Sequence, residues 1–375
     1  MAGIYLHIPF CRQACHYCDF HFSTNRAIEP DIITAMEKEM EWRNDYLGSE
    51  QVNTIYLGGG TPSLLSARSL ERLLSKLNAL FPVAPLAEIT LEANPDDLTD
   101  EKLLHFRQLG INRLSIGIQT FDDALLHYLN RVHNRAQAIT GYERARVSGF
   151  SNISLDLIYA IPGQTLTGWA TDLEQALTLN PEHISAYCLT IEERTAFGHW
   201  MKTGRMQPVP DEQAAEYLRV LMDTLTSSGY EHYEISNFAR PGYQSQHNSN
   251  YWKNENYLGI GPGAHSYNGI SRQANLANNY RYVRTIFAGE VPAQVEQLTR
   301  EEKVNEYILT SLRTAWGLDT RYLKQAFNVD LIKKYPDLIT QLTTNGFVEV
   351  ADGVIRLTSS GKLFADKIAA DLFEL

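Results

Sequence analysis

Cysteine is scarce, four residues in 375, which excludes the evenly spaced disulfide framework that staples small secreted chains. A chain of this length can bury a substantial core without covalent help. Long apolar runs are also missing. No window reaches the about 18 uninterrupted apolar residues of a membrane-spanning helix, and the opening MAGIYLHIPF has no basic stretch leading into one. A reducing, cytoplasmic location is therefore the expectation. Basic residues are in deficit, 33 against 44 acidic ones, for a net charge of -11. Proteins that track nucleic-acid phosphates usually carry excess Lys and Arg, so nucleic acid is not expected as a partner. Neither a solenoid period nor a low-complexity tract is present.

The first half of the chain alternates short apolar runs with longer amphipathic ones. Residues 3–9, 53–59, 88–94, 112–119, 153–162 and 183–191 read as six strands, with helices expected near 30–46, 66–80, 99–109, 135–148 and 166–179. Ser66 and Thr99 are plausible helix caps. Repeated strand and helix units imply a parallel sheet covered by helices. Polar or glycine-rich residues recur just after the strands, in GGGTP, EANP, GIQ and AIPGQ, and chemistry in α/β barrels gathers at that end. A partial (β/α)6 TIM-like barrel is expected, with an open doubly wound sheet as the alternative. Beyond residue 205 the rhythm changes: a helix near 211–228, a strand near 230–236, then a long polar and aromatic loop. From about 300 come helices and two short strands joined at Asp352-Gly353, the pattern of a winged-helix-like domain. The expected division is a β/α core over 1–205, an extension over 206–299 carrying HNSNYW and GIGPGAH, and a C-terminal domain over 300–375.

Three of the four cysteines, Cys11, Cys15 and Cys18, fall within eight residues just beyond the first strand, in HIPFCRQACHYCDFHF. A loop can fold three sulfurs around one inorganic centre, whereas a helix or strand would point them apart. Structural zinc would need a fourth ligand, for which His7, His16 and His21 are at hand. A [4Fe-4S] cluster prefers four thiolates; with Cys188 far away in the sixth strand, one iron would stay open to a small chelating molecule. Gly58, Gly59, Gly60, Thr61 and Pro62 follow the second strand, where glycines let a backbone approach a ligand closely. A branched side chain at Gly60 is accordingly expected to cost ligand affinity and to spare the thiolates. Glu92, Gln119, Arg131 and Asp156 fall near later strand ends and suit a polar binding site, or else a satisfied buried network.

The C-x3-C-x2-C spacing resembles the signature of the radical S-adenosylmethionine superfamily. More narrowly, YLHIPFCRQACHYCDF, LGGGTPSLL, EITLEANP, RLSIGIQTF, LDLIYAIPGQT, HNSNYW and LGIGPGAHSY together resemble the HemW haem chaperones, relatives of oxygen-independent coproporphyrinogen III oxidase. The likeness runs from Tyr5 to about His265, with a recognisable C-terminal region. It implies a barrel of the radical S-adenosylmethionine type, a [4Fe-4S] cluster on Cys11, Cys15 and Cys18, and S-adenosylmethionine contacts at Tyr5, Tyr17, Gly59, Gly60, Thr61, Glu92, Gln119, Arg131 and Asp156. In that superfamily the cluster passes one electron to the sulfonium, giving methionine and a 5′-deoxyadenosyl radical.

The oxidase typically continues C-x3-C-x2-C-x-C, but here Asp19 and Phe20 follow Cys18. That departure favours the chaperone over radical decarboxylation of coproporphyrinogen III. The resemblance then implies haem as cargo, a respiratory haem protein as acceptor, an electron donor of unknown identity, membrane contact only through the acceptor, and a homodimer as one assembly to test. HNSNYW offers His247 as a haem ligand in a loop with Tyr251 and Trp252, and His265 in GPGAHSY is second. An imidazole packed by aromatic neighbours is the bland alternative.

Overall fold

A computed structural model describes residues 2–374. Six strands, β1 (Ala2–Ile8), β2 (Val52–Gly59), β3 (Val83–Ala93), β4 (Arg113–Gln119), β5 (Ile153–Tyr159) and β6 (His183–Cys188), lie side by side in sequence order. Every neighbouring pair is parallel. A doubly wound sheet would reverse its order beside β1. This one does not, so right-handed crossovers lay the intervening helices along one face, as in a barrel wall.

The wall has two chemistries because successive strand residues face opposite ways. Ile4, Leu6 and Ile8, Leu114, Ile116 and Ile118, and Ile153, Leu155 and Leu157 form one set, fully buried in the core shared with the outer helices. Each such side chain contributes about 1.5–3 kcal/mol. The alternate set is polar: Thr54 and Tyr56, Glu88, Thr90 and Glu92, Arg113 and Ser115, Ser154 and Asp156, His183 and Ser185. That set faces the barrel interior.

The barrel stays open. Beyond β6 the wall adds β7 (Glu231–Glu234) and β8 (Asn237–Ala239), with β8 antiparallel to β6. On the other side β9 (Asn256–Ile260) runs parallel to β1, pairing Tyr5 with Gly259. Antiparallel β10 (His265–Tyr267), β11 (Ser271–Asn275) and β12 (Ala293–Gln297) follow. The segment expected as a long loop is thus largely ordered. Between β8 and β9 it forms a helix over Gln246–Trp252, capped by Ser245. Glu88, on the interior face of β3, accepts the backbone N–H groups of Gln246 and His247 at 3.1 and 3.0 Å. A buried carboxylate thereby satisfies donors that a helix start leaves unpaired. This plug helix packs against β1 and β2.

The C-terminal region carries its own core, from Val304 to Leu372, around the three-stranded sheet of β13 (Leu318–Asp319), β14 (Val348–Ala351) and β15 (Val354–Leu357). Asp352 and Gly353, with φ of 51° and 76°, make the two-residue turn between β14 and β15. The segment from 211 to 287 shares the barrel's core, through Tyr217, Leu221, Leu258 and Tyr282. Among the described residues no helix is long and apolar enough to cross a membrane.

Candidate functional site

A cavity of about 610 Å³ opens at the C-terminal ends of the strands. Cys11, Cys15 and Cys18 line it from the loop after β1, with Tyr17 and Phe20 beside them. Backbone bonds fix that loop at both ends, Cys11 N–H to Ser23 O at 3.0 Å and His16 N–H to Leu129 O at 3.1 Å. Thr61 Oγ1 donates to Cys11 Sγ at 3.6 Å and Arg131 Nη1 to Cys15 Sγ at 3.4 Å. Burial pushes the Cys11 thiol up to about 11 and the Cys18 thiol up to about 12. Thiolates here therefore need a cationic centre to hold them. Among the described residues no three His, Cys, Asp or Glu side chains gather closely enough for a single ion. Zinc wants its ligands at about 2.0–2.3 Å around one point. A multi-iron cluster, whose thiolates bind different iron atoms, fits three sulfurs spread along a loop.

The glycine loop after β2 is held to the cysteine loop. Gly60 N–H donates to Ile8 O at 2.8 Å and Thr61 N–H to Phe10 O at 2.7 Å. A Cβ on Gly60 would lie 2.6 Å from Phe10 O, and one on Gly59, whose φ is +106°, would strike the His7 ring. Gly60 thus serves a close backbone approach to Phe10, next to Cys11, where a branched side chain would press on the cysteine loop itself.

Glu92, near the end of β3, accepts from Tyr56 OH at 2.8 Å and from Gly59 N–H at 3.2 Å, yet burial raises it to about 7. Asp156 lies in the middle of β5, not at its end, and burial raises it to about 6. Ser115 Oγ reaches its two oxygens at 3.0 and 2.9 Å. Gln119 ends β4 at a register shift with φ of +70°. Strain of this kind in a non-glycine residue gathers at functional sites. The turn after it is held by buried Asp172, which accepts from Thr120 Oγ1 at 2.7 Å and Phe121 N–H at 2.8 Å. Arg131, from the loop after the helix Asp123–Tyr128, also donates to Asn94 Oδ1 at 2.6 Å and Gly117 O at 2.9 Å.

All of the expected contacts except Tyr5 line the cavity. Tyr5 sits one layer back, its hydroxyl 3.2 Å from His7 Nδ1 and its ring 6.1 Å from Tyr56. Cys188 is distant in sequence but not in space: it lines the same cavity from the end of β6, beside Tyr187. His247 is not in a loop and does not line the cavity. It lies in the plug helix, 1% exposed, with Nδ1 2.8 Å from Thr54 Oγ1 and Nε2 2.9 Å from Tyr251 OH. Its neighbour Asn248 reaches the cavity instead. The polar barrel interior gives the imidazole partners that solvent would otherwise supply. His265, on β10, is exposed and has no side-chain hydrogen bond among the described residues.

Sequence reasoning missed Tyr56, Asn94, Ser115, Ser185 and Asn248. The signal for the strand residues was the alternation itself, as in Arg113, Ser115, Gly117 and Gln119, which marks one face of a strand as polar.

Comparison with known proteins agrees with this geometry. The Radical SAM superfamily matches over residues 5–176 and the HemN C-terminal domain over 298–364. "Heme chaperone HemW" of Bacillus subtilis (strain 168) is 38% identical over 372 residues, covering 98% of each chain. Its namesake in Escherichia coli (strain K12) is 40% identical over 266 residues, 70% of this chain and 69% of that one. Among solved structures, coproporphyrinogen III oxidase (HemN) from Escherichia coli, a radical SAM enzyme, has a TM-score of 0.85 at 25% identity, covering 99% of this chain and 90% of its own. A relative alike from end to end, with three thiols at the mouth of a radical SAM barrel, places the chain in the HemW family.

Proposed function

We propose that this chain is a haem chaperone that holds a [4Fe-4S] cluster on Cys11, Cys15 and Cys18, binds S-adenosylmethionine in the barrel cavity and passes haem to an acceptor haem protein. The observation that carries the reading is the opening of three loop thiols into the same cavity as Glu92, Asp156 and the glycine loop. When bound, the cluster supplies an open iron for the amino and carboxylate groups of S-adenosylmethionine and a source of single electrons. Thr61 and Arg131 donate to the sulfurs, which stabilises their thiolate form. The two carboxylates offer acceptors to ligand hydroxyls, and Gly59 and Gly60 let the glycine loop pack directly against His7 and Phe10 beside the cysteine loop. Phe20 stands where the oxidase has a further cysteine and is 73% exposed.

For haem we assign His265 as the axial ligand. Both ring nitrogens of His247 are engaged by Thr54 and Tyr251, whereas the exposed His265 is free to meet iron. Haem titration of the parent, His265→Ala and His247→Ala tests this, with iron content and circular dichroism checked in each. A changed haem spectrum and weaker binding in His265→Ala alone is the expected result. An effect in His247→Ala alone, with its fold intact, returns the ligand to the plug helix.

The second reading, oxidation of coproporphyrinogen III propionates to vinyl groups, is favoured by the end-to-end structural likeness to the oxidase. Anaerobic incubation with reductant, S-adenosylmethionine and either coproporphyrinogen III or haem separates the two. Haem retention without vinyl product supports the chaperone; vinyl product supports the oxidase.

A further inference from the structure

Behind Asp156, away from the cavity, polar side chains form a chain whose direction can be worked out. Ser154 Oγ lies 3.2 Å from Asp156 Oδ1 and 2.8 Å from His183 Nδ1. His183 Nε2 lies 2.7 Å from Tyr233 OH, and Tyr233 in turn accepts from Ser245 N–H at 3.3 Å. Ser154 Oγ is the donor to Asp156 Oδ1, so its single proton is spent on that carboxyl group. His183 Nδ1–H must then donate to Ser154. Burial, the largest influence, and Arg113 hold His183 well below its ordinary value, so the ring is neutral and Nε2 must accept from the Tyr233 hydroxyl. Ser115 Oγ also donates to Asp156, from β4, and Ser185 Oγ, 3.5 Å from Ser154 Oγ, donates to Asn237 Oδ1 at 2.9 Å. Every donor in the chain points toward Asp156.

A second observation has the same target. Arg113 is 1% exposed, and its Nε and Nη1 have no hydrogen-bond partner. It stands on the interior face of β4, two residues before Ser115 and in register with Thr90, whose buried Oγ1 is also unpartnered. A buried guanidinium without its own carboxylate is costly unless its charge is used. The groups it faces include Asp156 and Glu92, which it favours as anions, and His183 and His247, which it favours as neutral rings.

We propose that Tyr233, His183 and Ser154, with Arg113 alongside, form a positioning relay that keeps Asp156 ionised, so that it offers a bound ligand hydrogen-bond acceptors and never a donor. The class of ligand group recognised is a hydroxyl pair or a cation. The inference rests on the reading of Asp156 as an S-adenosylmethionine contact. The titratable and charged groups facing Asp156 are Tyr56 from β2, Glu92 from β3, Arg113 from β4 and Tyr187 from β6, with His183 reached through Ser154. Of these only Arg113 is a cation.

The test uses cluster-reconstituted protein and two readouts. Infrared pH titration follows the Asp156 carboxyl band, identified by its loss in Asp156→Asn, and S-adenosylmethionine affinity is measured over the same pH range. Tyr233→Phe, which keeps the ring, and Arg113→Gln are each expected to raise the Asp156 midpoint by about one unit, which weakens binding about tenfold below that midpoint. Arg113→Lys is expected to restore it. An unchanged midpoint in both Tyr233→Phe and Arg113→Gln overturns the relay; if Arg113→Gln does not fold, Tyr233→Phe decides alone. If Asp156→Asn binds S-adenosylmethionine as tightly as the parent, the ligand reading fails, while the infrared midpoints still judge the relay.

Discussion

Gly60 shows how much of the site depends on backbone packing. Its amide donates to Ile8 and a Cβ would stand 2.6 Å from Phe10 O. Gly60→Ala is therefore expected to push the glycine loop off the chain that leads to Cys11. Iron and acid-labile sulfide per chain then fall together with S-adenosylmethionine affinity. Full cluster occupancy with only ligand affinity reduced would return the glycine to the simple role its sequence suggested. The cysteine spacing was legible in the sequence because three thiols so close together have few other uses. The close approach of Gly60 was not, because Phe10 lies fifty residues away in the chain. The placement of His247 was not legible for a related reason: HNSNYW reads as a polar surface loop until Thr54 and Glu88 bring polar partners into the barrel.

Among elements, the helix over Glu29–Trp42 illustrates how the wall is extended. Glu39, 0% exposed, pairs with Arg43 at 2.9 Å and accepts from Gly261 N–H, Asn275 Nδ2 and Tyr282 OH. Arg43 also donates to Ser266 and Gln273. One ion pair thereby ties the first helix to β9, β10 and β11, some 220 residues on. Glu39→Ala is expected to cost about 3–5 kcal/mol in urea unfolding, because it strands a buried guanidinium. A cost below about 1 kcal/mol would mean that water replaces the carboxylate. The six strands and five of the six helices between β1 and β6 were readable from periodicity, with ends differing by a few residues; the short helix Asp123–Tyr128 was not, being less than two turns long. The joining of β9 alongside β1 was not, since no local pattern in NYLGI names its partner; long-range polar contacts such as Glu39 to Gly261 select it.

For the molecule as a whole, the polar interior sets how stability follows pH. Burial holds His7 near 4, His133, His232 and His247 near 3, and His183 well below its ordinary value. The unfolded chain protonates these rings below about 6.5 and the folded chain does not, so their contribution falls as pH drops toward 4. Glu92, Asp156 and Asp172, raised to about 7, 6 and 6, and Asp97, also raised, act in the opposite sense: they favour the folded chain at low pH and lose that advantage as pH rises from about 4 to 7. The imidazoles are more numerous and more widely shifted, so the urea midpoint is expected to climb between pH 4.5 and 6.5. A flat or falling profile would show that the carboxylates dominate. The open wall has a further consequence, for the order of biosynthesis. The cysteine loop is made first, but β9, which pairs with β1, and the plug helix leave the ribosome more than two hundred residues later. At translation rates of about 5–20 residues per second that delay is on the order of 10–50 seconds. Throughout it the nascent chain carries three thiols on an unfinished barrel, so loading of the proposed cluster during translation and loading after release are kinetically distinct routes.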